Sequence, residues 1–121
     1  MIVLLVAVAG GFGAVARFVL DGVVTGRRRA GPGVPLGIMI INVSGSLLLG
    51  VVAGLATGVL PERLHQIVGT GFLGGYTTFS TAAVDTMSLL RGRRRFSALV
   101  NGLGMLVLSV AAAALGWALA S

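Results

Sequence analysis

Gly69-Thr70-Gly71-Phe72-Leu73-Gly74-Gly75-Tyr76-Thr77-Thr78-Phe79-Ser80-Thr81 lies within a long apolar run covering residues 66–90. Its glycines weaken a helix by about 1 kcal/mol each relative to alanine, and its hydroxyl side chains compete for the backbone. In lipid an unsatisfied peptide group costs several kcal/mol more, so irregular backbone survives only where protein or a wet cavity surrounds it. A helix break at membrane depth is a place where ions are held or conducted. The stretch therefore predicts an interrupted membrane span, and a conduit.

The rest of the chain supports the membrane reading. Of its 121 residues only 10% are charged and 56% are hydrophobic, with a mean hydropathy of +1.04. A soluble domain of this size carries about 25% charged residues. Four apolar runs, 2–20, 36–60, 66–90 and 96–120, each reach the roughly 20 residues a helix needs to cross the hydrocarbon. Short polar stretches separate them. The pattern predicts an all-α membrane protein, a single domain over 1–121 with four transmembrane helices and a break in the third. The alternation of β-barrel strands is absent. Met1-Ile2-Val3-Leu4-Leu5 lacks the basic leader of a secretory signal and reads as the start of the first span. The chain has no cysteine and one histidine, His65, which excludes thiolate and multi-histidine metal sites. No basic run is long enough to suggest nucleic-acid binding.

The charge is lopsided. Arg27, Arg28 and Arg29 fall in the first loop and Arg91, Arg93, Arg94 and Arg95 in the third, while the opposite side carries Arg63 beside Glu62. This bias predicts those two loops on the cytoplasmic side and both termini outside; the arginines also suit anionic lipid. Gly50, Gly54 and Gly58 form consecutive GxxxG spacings. Such spacings let helix backbones approach closely in lipid. Packing within the chain is their plainer use, and a dimer interface the expected one.

Three segments resemble a known family: Gly10-Gly11-Phe12-Gly13-Ala14-Val15-Ala16-Arg17 in the first span, Val43-Ser44-Gly45-Ser46-Leu47-Leu48-Leu49-Gly50 after Asn42 in the second, and Gly71 to Thr81 in the third. Together, in this order and spacing, they closely resemble the CrcB/Fluc family of small fluoride channels. The resemblance covers nearly the whole chain. It implies a passive fluoride channel of the plasma membrane that lowers cytoplasmic fluoride. It also implies two antiparallel subunits, two pores along their interface and a structural sodium ion at the centre. Carried over residue by residue, it implies sodium-coordinating backbone carbonyls at Gly74 and Thr77, a pore amide at Asn42, the first of two pore phenylalanines at Phe79, an entrance arginine at Arg17 and a polar-track serine at Ser109.

The residues also bear a physical reading of their own. Bare fluoride in hydrocarbon costs tens of kcal/mol, so a pore must offer donors along its length. Asn42 has an amide NH₂, and Thr78, Ser80, Thr81 and Ser109 have hydroxyls. Phe79 has a positive ring edge, and Arg17 supplies a fixed positive charge. Plainer roles stand beside these: Asn42 bonding a neighbouring helix, Arg17 snorkelling from its helix end, Phe79 packing, and Ser109 bonding a carbonyl one turn back.

Departures from the family pattern bear on assembly. Ala82 stands where the second aromatic is expected, Ile38 where helix 2 carries a threonine, and Ala113 where a further hydroxyl is expected. With the strong charge bias, these imply one half of a heterodimer whose partner is an oppositely inserted homologue. A non-conducting accessory subunit is the alternative. A small multidrug transporter is a lesser one, since the first span has no acid at its centre. No nucleophile–base pair suggests an enzyme.

Overall fold

The computed structural model describes residues 1–27 and 36–121, all the regular elements being helical. Arg28 and Arg29 of the first basic loop lie outside the described residues. Helix α1 spans Ile2–Arg27 and α2 spans Leu36–Leu55. Helix α3 covers residues 62–76, with a π-helical stretch at Gln66–Leu73. Helix α4 spans Phe79–Arg91, and α5 runs over Arg95–Ala120 with a π-helical turn at Val100–Gly104. Three of these, α1, α2 and α5, are long and apolar enough to cross a membrane unbroken. The fourth span is the interrupted pair α3 and α4.

The helices differ in extent from the apolar runs for local reasons. Helix α1 continues through Asp21 to Arg27, because a charged residue ends a hydrocarbon span without ending the hydrogen-bond ladder. Helix α2 stops at Leu55. There the Thr57 hydroxyl donates to the Gly54 carbonyl at 2.6 Å, and the Thr57 and Leu60 amides turn back onto Gly54 and Leu55. Pro61 follows, and a proline disfavours helix in the residue before it.

Close backbone approach at glycines arranges the helices into two pairs. A Cβ on Gly13 would strike the Phe72 carbonyl, and one on Gly75 would strike the Gly10 carbonyl, so α1 lies directly on α3. Likewise a Cβ on Gly50 would strike Ala113, and one on Gly116 would strike Leu47, so α2 lies on α5. Gly54 faces the Trp117 carbonyl, while Gly58 has nothing near it. The expectation that the GxxxG spacings serve a dimer interface is therefore corrected for Gly50 and Gly54. Their missing side chains let α5 approach within the chain.

The two pairs meet at a small core of Ile38, Ile41, Leu73, Tyr76 and Met105, with Ala82 packed against it. Outside it the surface is apolar: Val3, Leu4, Phe12, Phe18, Leu106, Val110 and Leu119 are exposed. A bilayer suits such a surface, and water does not.

Candidate functional site

The third span does break, though more narrowly than its composition predicts. Residues 69–76 remain helical, and only Thr77 (φ −83°, ψ 158°) and Thr78 (φ −148°, ψ 125°) are extended. Gly71 and Gly75 before them serve the close approach to α1. The threonines make the break. Thr77 keeps both its amide and its hydroxyl on the Leu73 carbonyl, each at 2.9 Å, closing the end of α3. The Thr78 side chain caps α4 by accepting from the Thr81 amide at 3.3 Å, the usual task of a threonine at a helix start.

Asn42 holds this break open. Its Oδ1 accepts from the Thr78 amide and its Nδ2 donates to the Thr78 carbonyl, both at 2.8 Å. A further Nδ2 contact reaches the Met105 sulfur at 3.1 Å. The side-chain amide thus pairs with one residue of extended backbone as a neighbouring strand would. Both Asn42 and Thr78 are buried, so the exchange satisfies peptide groups that no water reaches.

That clasp changes what the break presents. In an uninterrupted helix the Thr78 amide would donate to the Gly74 carbonyl four residues back. Here it is diverted to Asn42, and the Gly74 carbonyl loses that partner. The peptide joining Thr77 to Thr78 is trans, so the Thr77 carbonyl points opposite to the Thr78 N–H, away from Asn42. On the other side of the break, the Phe79 and Ser80 amides fall in the first turn of α4 and lack intrahelical acceptors. Carbonyl ends of one short helix and amide ends of another thus sit next to each other, one suited to a cation and the other to an anion.

The other expected site residues fall into different settings. Phe79 is 87% exposed beside the break, so its ring projects from the subunit rather than packing within it. Ser80 is exposed and Thr81 half-buried, and both hydroxyls lie 3.3 Å from the Thr78 hydroxyl. Arg17 is half-buried in the interior of α1, one turn before Asp21. Because the helix runs on to Arg27, the position at a helix end expected for Arg17 is not found. Ser109 is half-buried, and its hydroxyl has no hydrogen-bond partner among the described residues. The bond expected one turn back is not made.

Some polar residues of the interior carried no role in the sequence reading. Asn101 is fully buried and donates to Thr86 at 2.8 Å, which in turn donates to the Ala82 carbonyl at 2.8 Å. This chain ties α5 to α4. The Ser44 and Tyr76 hydroxyls meet at 3.1 Å, joining α2 to α3. An asparagine inside an apolar span is itself a signal, because its burial requires a partner.

Fold and site together define a class: a helical membrane protein whose interrupted span is pinned by a side-chain amide from a neighbouring helix. The chain belongs to the family described as CrcB-like protein, Camphor Resistance (CrcB), whose model matches residues 4–117. It is 53% identical over 117 residues to the fluoride-specific ion channel FluC 1 of Leifsonia xyli subsp. xyli, covering 96% of this chain and 84% of that one. It is 46% identical over 123 residues to the fluoride-specific ion channel FluC 2 of Cutibacterium acnes, covering 100% and 98%. A FluC 2 of Rhodococcus jostii is 39% identical over the full length of both chains.

Proposed function

We propose that this chain is a subunit of a fluoride-selective passive ion channel of the plasma membrane, which lets fluoride leave the cell. The observation that carries this reading is the break at Thr77 and Thr78. Held by Asn42, it sets the first-turn amides of α4, which have no intrahelical acceptors, beside an outward Phe79. Amide donors and a positive ring edge replace the water of a small, strongly hydrated anion. The names of the relatives fit that chemistry.

A sodium ion fits the same break from its other side. The donors are neutral carbonyl oxygens, at Gly74 through the diverted amide and at Thr77 through the trans peptide, and hard monovalent cations favour such donors. Among the described residues no cluster of histidine, cysteine or acidic side chains offers a competing site. When bound, the ion would supply a fixed charge joining these carbonyls to those of a second subunit.

An antiparallel homologous partner completes this reading, with a heterodimer favoured. Ile38, Ala82 and Met105 converge in one apolar cluster beside Asn42. Two of them stand at positions where the family pattern carries a hydroxyl or a ring. One pathway is thereby closed to an anion while the face bearing Phe79 is kept. The numbering of the relatives as 1 and 2 accords with paired homologues. The seven arginines in and beside the first and third loops favour those loops in the cytoplasm and both termini outside. The test is fluoride efflux from liposomes, followed with a fluoride electrode. The chain reconstituted alone should conduct little, and with its homologue it should conduct freely. Robust efflux from the chain alone removes the heterodimer. No efflux under either condition, from folded protein, favours the accessory-subunit alternative.

A further inference from the structure

The turn between α4 and α5 carries Arg91, Arg93, Arg94 and Arg95, all exposed. No acidic residue lies between Thr86 and Ser121, and the one acid of the hairpin, Asp85, stands six residues before Arg91 on α4. The backbone closes as a helix cap: the Arg93 amide donates to the Leu90 carbonyl at 3.1 Å and the Arg94 amide to the Leu89 carbonyl at 2.9 Å. In this cap the residue now occupied by Arg93 takes a left-handed conformation, for which glycine is the usual choice. Arg93 adopts it with φ 58°, and among the described residues it is the one non-glycine with positive φ. Glycine stands one place earlier, at Gly92, where it is not required. The chain thus keeps an arginine at a backbone position that disfavours it, and an outlier of that kind points to a role for the side chain. Below the arginines, Leu90, Phe96 and Leu99 are 47%, 77% and 57% exposed.

We infer that this turn binds the headgroup of an anionic glycerophospholipid. The guanidinium groups would engage the phosphodiester through paired N–H donors, while Leu90, Phe96 and Leu99 lie among its acyl chains. The inference does not depend on which ion the protein conducts. It is tested on the full chain purified in mild detergent and supplied with either phosphatidylglycerol or phosphatidylcholine. Retained lipid is counted by native mass spectrometry, and the thermal midpoint is recorded alongside. Phosphatidylglycerol should be retained in preference, and each Arg→Gln change in the turn should weaken its binding about fivefold. Arg93→Gly gives the sharper test: it should raise the thermal midpoint in lipid-free detergent by relieving the backbone, yet lower phosphatidylglycerol retention. Equal retention of the two lipids overturns the proposal, as does unchanged phosphatidylglycerol retention in Arg93→Gly. So does inorganic phosphate that stabilises the protein in phosphatidylcholine as well as phosphatidylglycerol does, since that marks a free-anion site.

Discussion

Asn42 and Thr78 lie 36 positions apart in the chain and act as one unit. Removing the amide with Asn42→Ala orphans a buried N–H and a buried carbonyl. Each such group costs about 1–3 kcal/mol, so the variant should unfold at clearly lower temperature or denaturant in detergent. Phe79 behaves in the opposite way. Being 87% exposed, it contributes little to its own subunit, so Phe79→Ala should leave the thermal midpoint nearly unchanged. Fluoride efflux from proteoliposomes containing the variant and its partner homologue should fall sharply. A variant with lowered stability and normal efflux would make the ring a packing residue. The residue types of the site were legible in the sequence, because amide, hydroxyl and aromatic groups stand out in an apolar span. Their pairing was not, since no spacing rule connects positions on different helices. Asn42 read either as a donor for an ion or as a bond to a neighbouring segment, and much of its hydrogen-bonding capacity is committed to the Thr78 backbone. Asn101 attracted no reading, although its burial beside Thr86 fixes α4 to α5.

At the scale of elements, glycine decides which helices pair. The sequence announced four spans and one interruption because both follow from composition. It did not separate glycines that permit a break from glycines that permit an approach. Gly71 and Gly75 belong to the second kind, each facing backbone of α1, and so the helix persists through them until Thr77. Gly50→Ala should therefore force α5 away from α2 and destabilise the fold by about 1–3 kcal/mol, the range for an overpacked site. Gly58→Ala, with open space around it, serves as the control and should be close to neutral. Denaturation of the two variants side by side in detergent would check this. Equal loss in both would point to the backbone entropy of glycine rather than to contact between helices.

For the whole molecule, the jointed pair α3 and α4 sets the parity of crossings. A tally of unbroken apolar helices among the described residues gives three, and an odd number of crossings leaves the two ends of a chain on opposite sides of a bilayer. If the jointed pair α3 and α4 crosses as well, the number is even and both ends lie on one side. The chain has no native cysteine, so single Ile2→Cys and Ser121→Cys variants can be compared without background. An impermeant maleimide applied to intact spheroplasts should label both. Labelling of one end alone would mean that the jointed pair enters the membrane and returns without crossing it. Whether the jointed pair crosses thus decides on which side of the cell any tag, fusion or binding partner attached at the tail will be found.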